Sequence, residues 1–79
     1  METNIKVKTI KGQTFDFSLP NTATILEVKK KIEEKWNYEP DGQKIIYKGR
    51  LLTDNVQVHE LNLGAKDFFV VTYKKYEYI

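Results

Sequence analysis

The chain has no cysteine, one serine, one histidine and a net charge of only +2. Without cysteine it can form neither a disulfide framework nor a thiolate metal site, and that absence fits a reducing compartment. A hydrolytic triad needs an activated nucleophile, a base within hydrogen-bond reach and a group that orients the base. Ser18 falls on the exposed side of a predicted strand and His59 in a predicted loop, and nothing in the sequence brings them together. A lone histidine without cysteine makes no transition-metal site, and no glycine-rich loop is present to cradle a phosphate. The expectation is a non-enzyme with no catalytic residue, no metal and no cofactor.

Long apolar runs are also missing. No stretch approaches the roughly 20 apolar residues of a membrane span, and the opening "METNIKVK" is not expected to act as a signal peptide. The positive charge is small and spread along the chain, with "KKK" at 29–31 read as the solvated face of a helix. That distribution suits solubility better than a nucleic-acid footprint. Seventy-nine residues leave no room for a repeat array or a second domain. A chain this short buries roughly 60% of its unfolded surface, enough for one thin core.

What is present is periodic. In "NIKVKTI", Ile5, Val7 and Thr9 alternate with Lys6 and Lys8; in "QTFDFSL", Phe15, Phe17 and Leu19 alternate with Asp16 and Ser18. Each pattern predicts a half-buried strand, and the short Lys11-Gly12 connection predicts a hairpin. Pro20 and Asn21 stop the second strand. Thr24 with Glu27 three residues on matches a capping box, and Ile25, Val28 and Ile32 then recur at helical spacing. The prediction is a helix over 25–36 with Lys29, Lys30 and Lys31 on its solvated side and Glu27 paired with Lys31. Trp36 and Tyr38 are read as apolar cover for the helix end, and "EPDG" (39–42) as a turn in which Pro40 fixes φ and Gly42 supplies a positive one.

A strand running to Gly49 follows, then a short strand at Leu51 and Leu52, then "TDNVQVHELNL" as a loop with a brief helical turn. "DFFVVTYKK" is the last strand. One helix with four or five strands predicts a two-layer α+β domain, the helix lying across one face of the sheet. The triplet Ile45-Ile46-Tyr47 is the unusual feature. If Ile45 and Tyr47 enter the core, alternation turns Ile46 outward, onto the face that carries Lys44 and Lys48. A one-residue slip would bury both lysines, so the register is fixed.

The segments "VKTIKGQTF", "TILEVKKKIEEK" and "IIYKGRLLTD" resemble the hairpin, helix and third strand of ubiquitin, and the likeness runs without a gap from about Asn4 to Lys74. The resemblance implies a ubiquitin-like β-grasp fold: a β-hairpin, a helix and a mixed sheet, with the last strand between the first and the third. A single ubiquitin-like domain over 1–79 is expected, with its ordered core over about 4–74. Within the family, "GQKIIYKGRLLTDN" and "FFVVTYKK" look most like the N-terminal ubiquitin-like domain of the proteasome-shuttle, nucleotide-excision-repair proteins, which carry ubiquitin-associated domains further along. The short connection "KWNYEPDGQ" is closer to ubiquitin itself, so ubiquilin-type and other scaffold domains stay open. A conjugated modifier needs a bare Gly-Gly tail, and "TYKKYEYI" supplies none.

The resemblance sets the third and last strands side by side. Alternation then gives one outward surface from Lys44, Ile46 and Lys48 together with Phe68, Val70 and Thr72. Ile10 joins from the hairpin tip and Gly49 leaves flat backbone at the lower edge. Ile10, Ile46 and Val70 fall at positions that the family uses for its binding patch, and Thr72 replaces the usual aliphatic residue there. The expected patch is Ile10, Ile46, Gly49, Val70 and Thr72, with a basic rim of Lys8, Lys44 and Arg50. Such a surface suits an acidic amphipathic helix. The resemblance implies proteasome ubiquitin receptors and their ubiquitin-interacting-motif helices as partners, with ubiquitin-associated domains of the same parent chain as a further candidate. A cytoplasmic or nuclear monomer is expected.

Overall fold

A computed structural model describes residues 2–74. Its elements are β1 (Glu2–Thr9), β2 (Thr14–Pro20), α1 (Ile25–Trp36), β3 (Gln43–Tyr47), β4 (Arg50–Leu52) and β5 (Phe69–Tyr73), with single 3₁₀ turns at Pro40–Gly42 and Val58–Leu61. The five strands form one mixed sheet in the order β2-β1-β5-β3-β4. β5 runs parallel to β1 and antiparallel to β3. The expected α+β β-grasp architecture is therefore the observed one, with the last strand at the centre.

Strand alternation builds the core. Ile5 and Val7 of β1, Ile45 and Tyr47 of β3, Phe69 and Val71 of β5 and Leu52 of β4 all face α1 and are buried. The helix answers with Ile25, Val28 and Ile32, none of which retains any exposure. Fully burying each such side chain stabilises the fold by about 1.5–3 kcal/mol. The ends of α1 are secured by neighbours. At its start the Glu27 carboxylate accepts the Thr24 N–H at 2.8 Å, while the Ile25 and Leu26 N–H groups donate to the carbonyls of Val56 and Asp54. At its end Asn37 takes the left-handed conformation, φ 61°, and donates its N–H to the Glu33 carbonyl.

Four local expectations change. Glu27 serves the helix cap rather than Lys31, which lies 4.0 Å from Glu34 instead. Lys29 is buried, not solvated: its Nζ sits 2.6 Å from Asp54 Oδ1, tying the helix to the loop after β4. β3 ends at Tyr47 rather than Gly49, because Lys48 (φ 49°) and Gly49 (φ 81°) make the two-residue turn into β4. Gly42 has no positive φ; it is required by crowding, since a Cβ there would stand 2.7 Å from the Lys74 carbonyl oxygen. The segment 75–79, on which the argument about a conjugation tail rests, lies outside the described residues.

Candidate functional site

The face of the sheet opposite α1 brings the outward residues of four strands into register. Val70 of β5 pairs with Lys8 of β1 on one side and Ile46 of β3 on the other, and Ile46 pairs in turn with Leu51 of β4. One transverse row therefore reads Lys8, Val70, Ile46, Leu51. The neighbouring row holds the pair Thr72 and Lys44. Directly opposed residues share a face, so a single row gathers three apolar side chains and a lysine. Ile46 and Val70 are half-buried by these neighbours, whereas Leu51 keeps 62% of its exposure.

Phe68, just before β5, extends the apolar surface, and the Lys8 Nζ lies 4.2 Å above its ring centre. Between Phe68 and the β3–β4 turn runs an open groove of about 400 Å³, floored by Ile46 and Val70 and walled by Phe68, Gly49, Lys48 and Lys66. Ile10, 78% exposed, and Thr72 line a separate depression with Tyr38 and Tyr73. The expected patch residues thus fall into two adjoining parts: Ile46, Val70 and Gly49 in the groove, and Ile10 and Thr72 beyond it. Lys44 and Lys8 flank the row. Arg50 is exposed but stands across from Tyr47 rather than Ile46, at the end of β4, so its place is the edge.

One carboxylate organises the groove's lower wall. Asp67 Oδ2 accepts the Gly64 N–H and the Tyr47 hydroxyl, each at 2.8 Å, with Lys48 Nζ 4.0 Å away. The hydrogen bond from Gly64, then that from Tyr47, hold its carboxyl below the ordinary 3.8, with Lys48 adding to them and desolvation opposing. The network fastens the 64–67 turn to β3 and so fixes where Phe68 enters the surface. Sequence spacing gave no sign of it, because Tyr47 and Asp67 are twenty residues apart. Leu51 was also missed as a surface residue; its pairing with Ile46 appears only once the β3–β4 register is known. Ser18 lies exposed on β2 and His59 in the Val58–Leu61 turn, where its ring contacts the Gln57 side chain.

A mixed five-stranded sheet in this order, with one helix packed across a single face, defines a ubiquitin-like β-grasp domain. The chain belongs to the ubiquitin family: the sequence model of that family matches residues 5–76. The fold agrees with a solved structure of ubiquitin from Caldiarchaeum subterraneum at a TM-score of 0.85, with 24% identity, over 96% of this chain and 98% of that one. The chain is 41% identical over 68 residues to the UV excision repair protein rhp23 of Schizosaccharomyces pombe, covering 85% of this chain and 18% of that protein. It is 34% identical over 74 residues to UV excision repair protein RAD23 homolog B of Homo sapiens, covering 90% of this chain and 18% of that one. The chain thus spans about a fifth of the length of these relatives. It is also 39% identical over 59 residues to the NEDD8-like protein RUB3 of Arabidopsis thaliana, covering 75% of this chain and 76% of that protein. Among the described residues, no helix is long and apolar enough to cross a membrane.

Proposed function

We propose that the chain is a non-catalytic protein-interaction module that docks its parent protein to proteasome ubiquitin receptors through the outer face of the sheet. The observation that carries this reading is the row Val70–Ile46, apolar and open to solvent, flanked by Lys8 and Lys44. Single exposed apolar residues are common on folded surfaces. A contiguous set drawn from separate strands and rimmed by one sign of charge is a feature of binding sites. An acidic amphipathic helix, such as a ubiquitin-interacting motif, satisfies both halves of the surface: its apolar stripe meets Ile46 and Val70, and its carboxylates meet the lysines. The contact area would lie below roughly 1,200 Å², giving reversible, micromolar association. The likeness to the excision repair proteins supports the reading; in it the module is a monomer and the N-terminal part of a longer cytoplasmic or nuclear protein. Ubiquitin-associated domains of that parent chain would compete for the same face.

The test is titration of a ubiquitin-interacting-motif peptide, followed residue by residue by NMR. Shifts concentrated on β3 and β5, lost with Ile46→Ala, support the reading. Shifts elsewhere, or an Ile46→Ala variant that binds as well as the parent, overturn it. The likeness to RUB3 favours a second reading, a covalent modifier. Sequencing of the native transcript decides it, because a modifier requires a Gly-Gly pair beyond Ile79.

A further inference from the structure

Three large apolar side chains stand exposed among the described residues, Ile10, Leu51 and Phe68; Leu51 ends the groove row on β4 and Phe68 walls the groove. Leu51 lies on β4, the outermost strand, directly opposite Ile46. Sheet edges usually carry charge or proline at such places, so an open leucine there is costly unless something covers it. Phe68 stands two residues before Val70, its ring already under the ammonium of Lys8 at the row's other end. We propose that Leu51 and Phe68 determine specificity, selecting an acidic amphipathic helix that presents a large apolar side chain, leucine or larger, rather than alanine, at the centre of its contact stripe. The proposal rests on the docking reading above.

Two features support that occupant. The first is shape. The groove between Phe68 and the β3–β4 turn has an apolar floor of Ile46 and Val70 and is open along its length, so a methyl group would leave most of it empty. A longer side chain would touch Phe68 while the next turn of its helix covers Leu51. The second is charge. Lys48 and Lys66 wall the groove, Lys8 and Lys44 flank the row, and the one carboxylate lining the groove, Asp67, is engaged by Tyr47 and Gly64. Four lysines against one carboxylate, which Lys48 approaches only to 4.0 Å, leave an excess of positive charge around an apolar floor, the complement of an acidic helix.

Two synthetic acidic helical peptides, identical except for alanine or leucine at the central contact position, test it by calorimetric titration. The leucine peptide binds more tightly, by about fourfold for each methylene it buries. Leu51→Gln, a change at an exposed position, weakens the leucine peptide about fivefold, and Phe68→Ala removes its advantage over the alanine peptide. Equal binding of the two peptides, or a preference that survives both Leu51→Gln and Phe68→Ala, overturns the inference while leaving the docking reading intact. If neither peptide binds, or if Ile46→Ala changes nothing, both fall.

Discussion

Two apolar regions lie outside the core, and they differ in whether their side chains have found partners. Around the end of α1, five rings follow one another. Phe17 meets Phe15 at 4.9 Å between ring centres, Phe15 meets Trp36 at 5.9 Å, Trp36 meets Tyr38 at 5.9 Å, and Tyr38 stacks on Tyr73 at 4.4 Å. Lys35 adds an ammonium 5.6 Å from the Phe15 ring. On the outer face of the sheet, Ile46, Val70 and Phe68 line an open groove, and Leu51 stands exposed beside Ile46. The first region is closed on itself and the second is open. Both are half-exposed and apolar, so burial alone does not separate structural cover from a binding face. The partners do.

The most direct way to break this contrast is to truncate one residue in each region. Trp36→Ala removes the ring joining Phe15 to Tyr38 and lowers stability by about 2 kcal/mol, less than a fully buried tryptophan would because the ring is half-exposed. On a domain of this size that is a fall of roughly 10 °C in Tm, with binding of an acidic helix unchanged. Ile46→Ala does the reverse. It costs about 1 kcal/mol of stability and weakens the helix about tenfold or more. Thermal melts and titrations of both variants give four numbers, and a Trp36→Ala variant that loses binding at intact fold would merge the two regions into one site.

The buried face of α1 also carries a charge, and its behaviour sharpens the point. Lys29 lies in the buried stripe of α1 with Asp54 as its ion-pair partner, the side chains 11% and 54% exposed. Removing only the partner leaves an ammonium in a mostly apolar setting, so Asp54→Ala should cost about 1–2 kcal/mol, discounted for the aspartate's exposure. Lys29→Met removes the charge together with its need for a partner and should cost less. Denaturant titration of the two variants orders them, and a costlier Lys29→Met would show that the ion pair itself supplies the stability.

Much of this arrangement was legible in the sequence, and the gaps have physical reasons. Strand alternation separated Ile45 and Tyr47 from Ile46 correctly, because the period of two leaves no third option. The spacing of Ile25, Val28 and Ile32 gave α1 its buried face. That stripe also contains position 29, four residues after Ile25 and three before Ile32, but the lysine's charge disguised it and its partner lies 25 residues away. Leu51 was ambiguous for a different reason. In a three-residue strand, alternation cannot choose which leucine points outward; only the pairs Ile46↔Leu51 and Ile45↔Leu52 decide it. Local pattern therefore identified the faces, while pairing across the fold identified what completes them.

Asp67 gives the open region a pH dependence. Its folded pKa lies below the ordinary 3.8 of the unfolded chain, so at acid pH the unfolded state takes up the proton more readily. The Asp67 contribution is therefore fully present above about 4 and is lost as pH falls through the lower folded value. Asp67→Asn should flatten that part of the acid stability profile and loosen Phe68, weakening helix binding at neutral pH. An unchanged acid limb in the variant would show that the Tyr47 and Gly64 hydrogen bonds are not what favours the charged carboxylate.

The smallest expected effect falls where turn geometry and binding meet in one residue. Lys48 and Gly49 both have positive φ, as a type I′ turn demands, yet only Gly49 adopts it without steric cost. Asparagine tolerates the left-handed region better than lysine, so Lys48→Asn should raise stability by about 0.5 kcal/mol. The same change removes a cation from the groove wall, at the cost of a long 4.0 Å approach to Asp67 and a 5.3 Å approach to the Tyr47 ring. Charges at an interface rim act mainly on the association rate and its salt dependence. An acidic helix should therefore associate more slowly with the variant at low salt and nearly normally at high salt. A protein that melts higher yet captures its partner more slowly would mean that the strained turn is kept for the lysine it displays, whereas a lower melting temperature would show that Lys48 holds the turn.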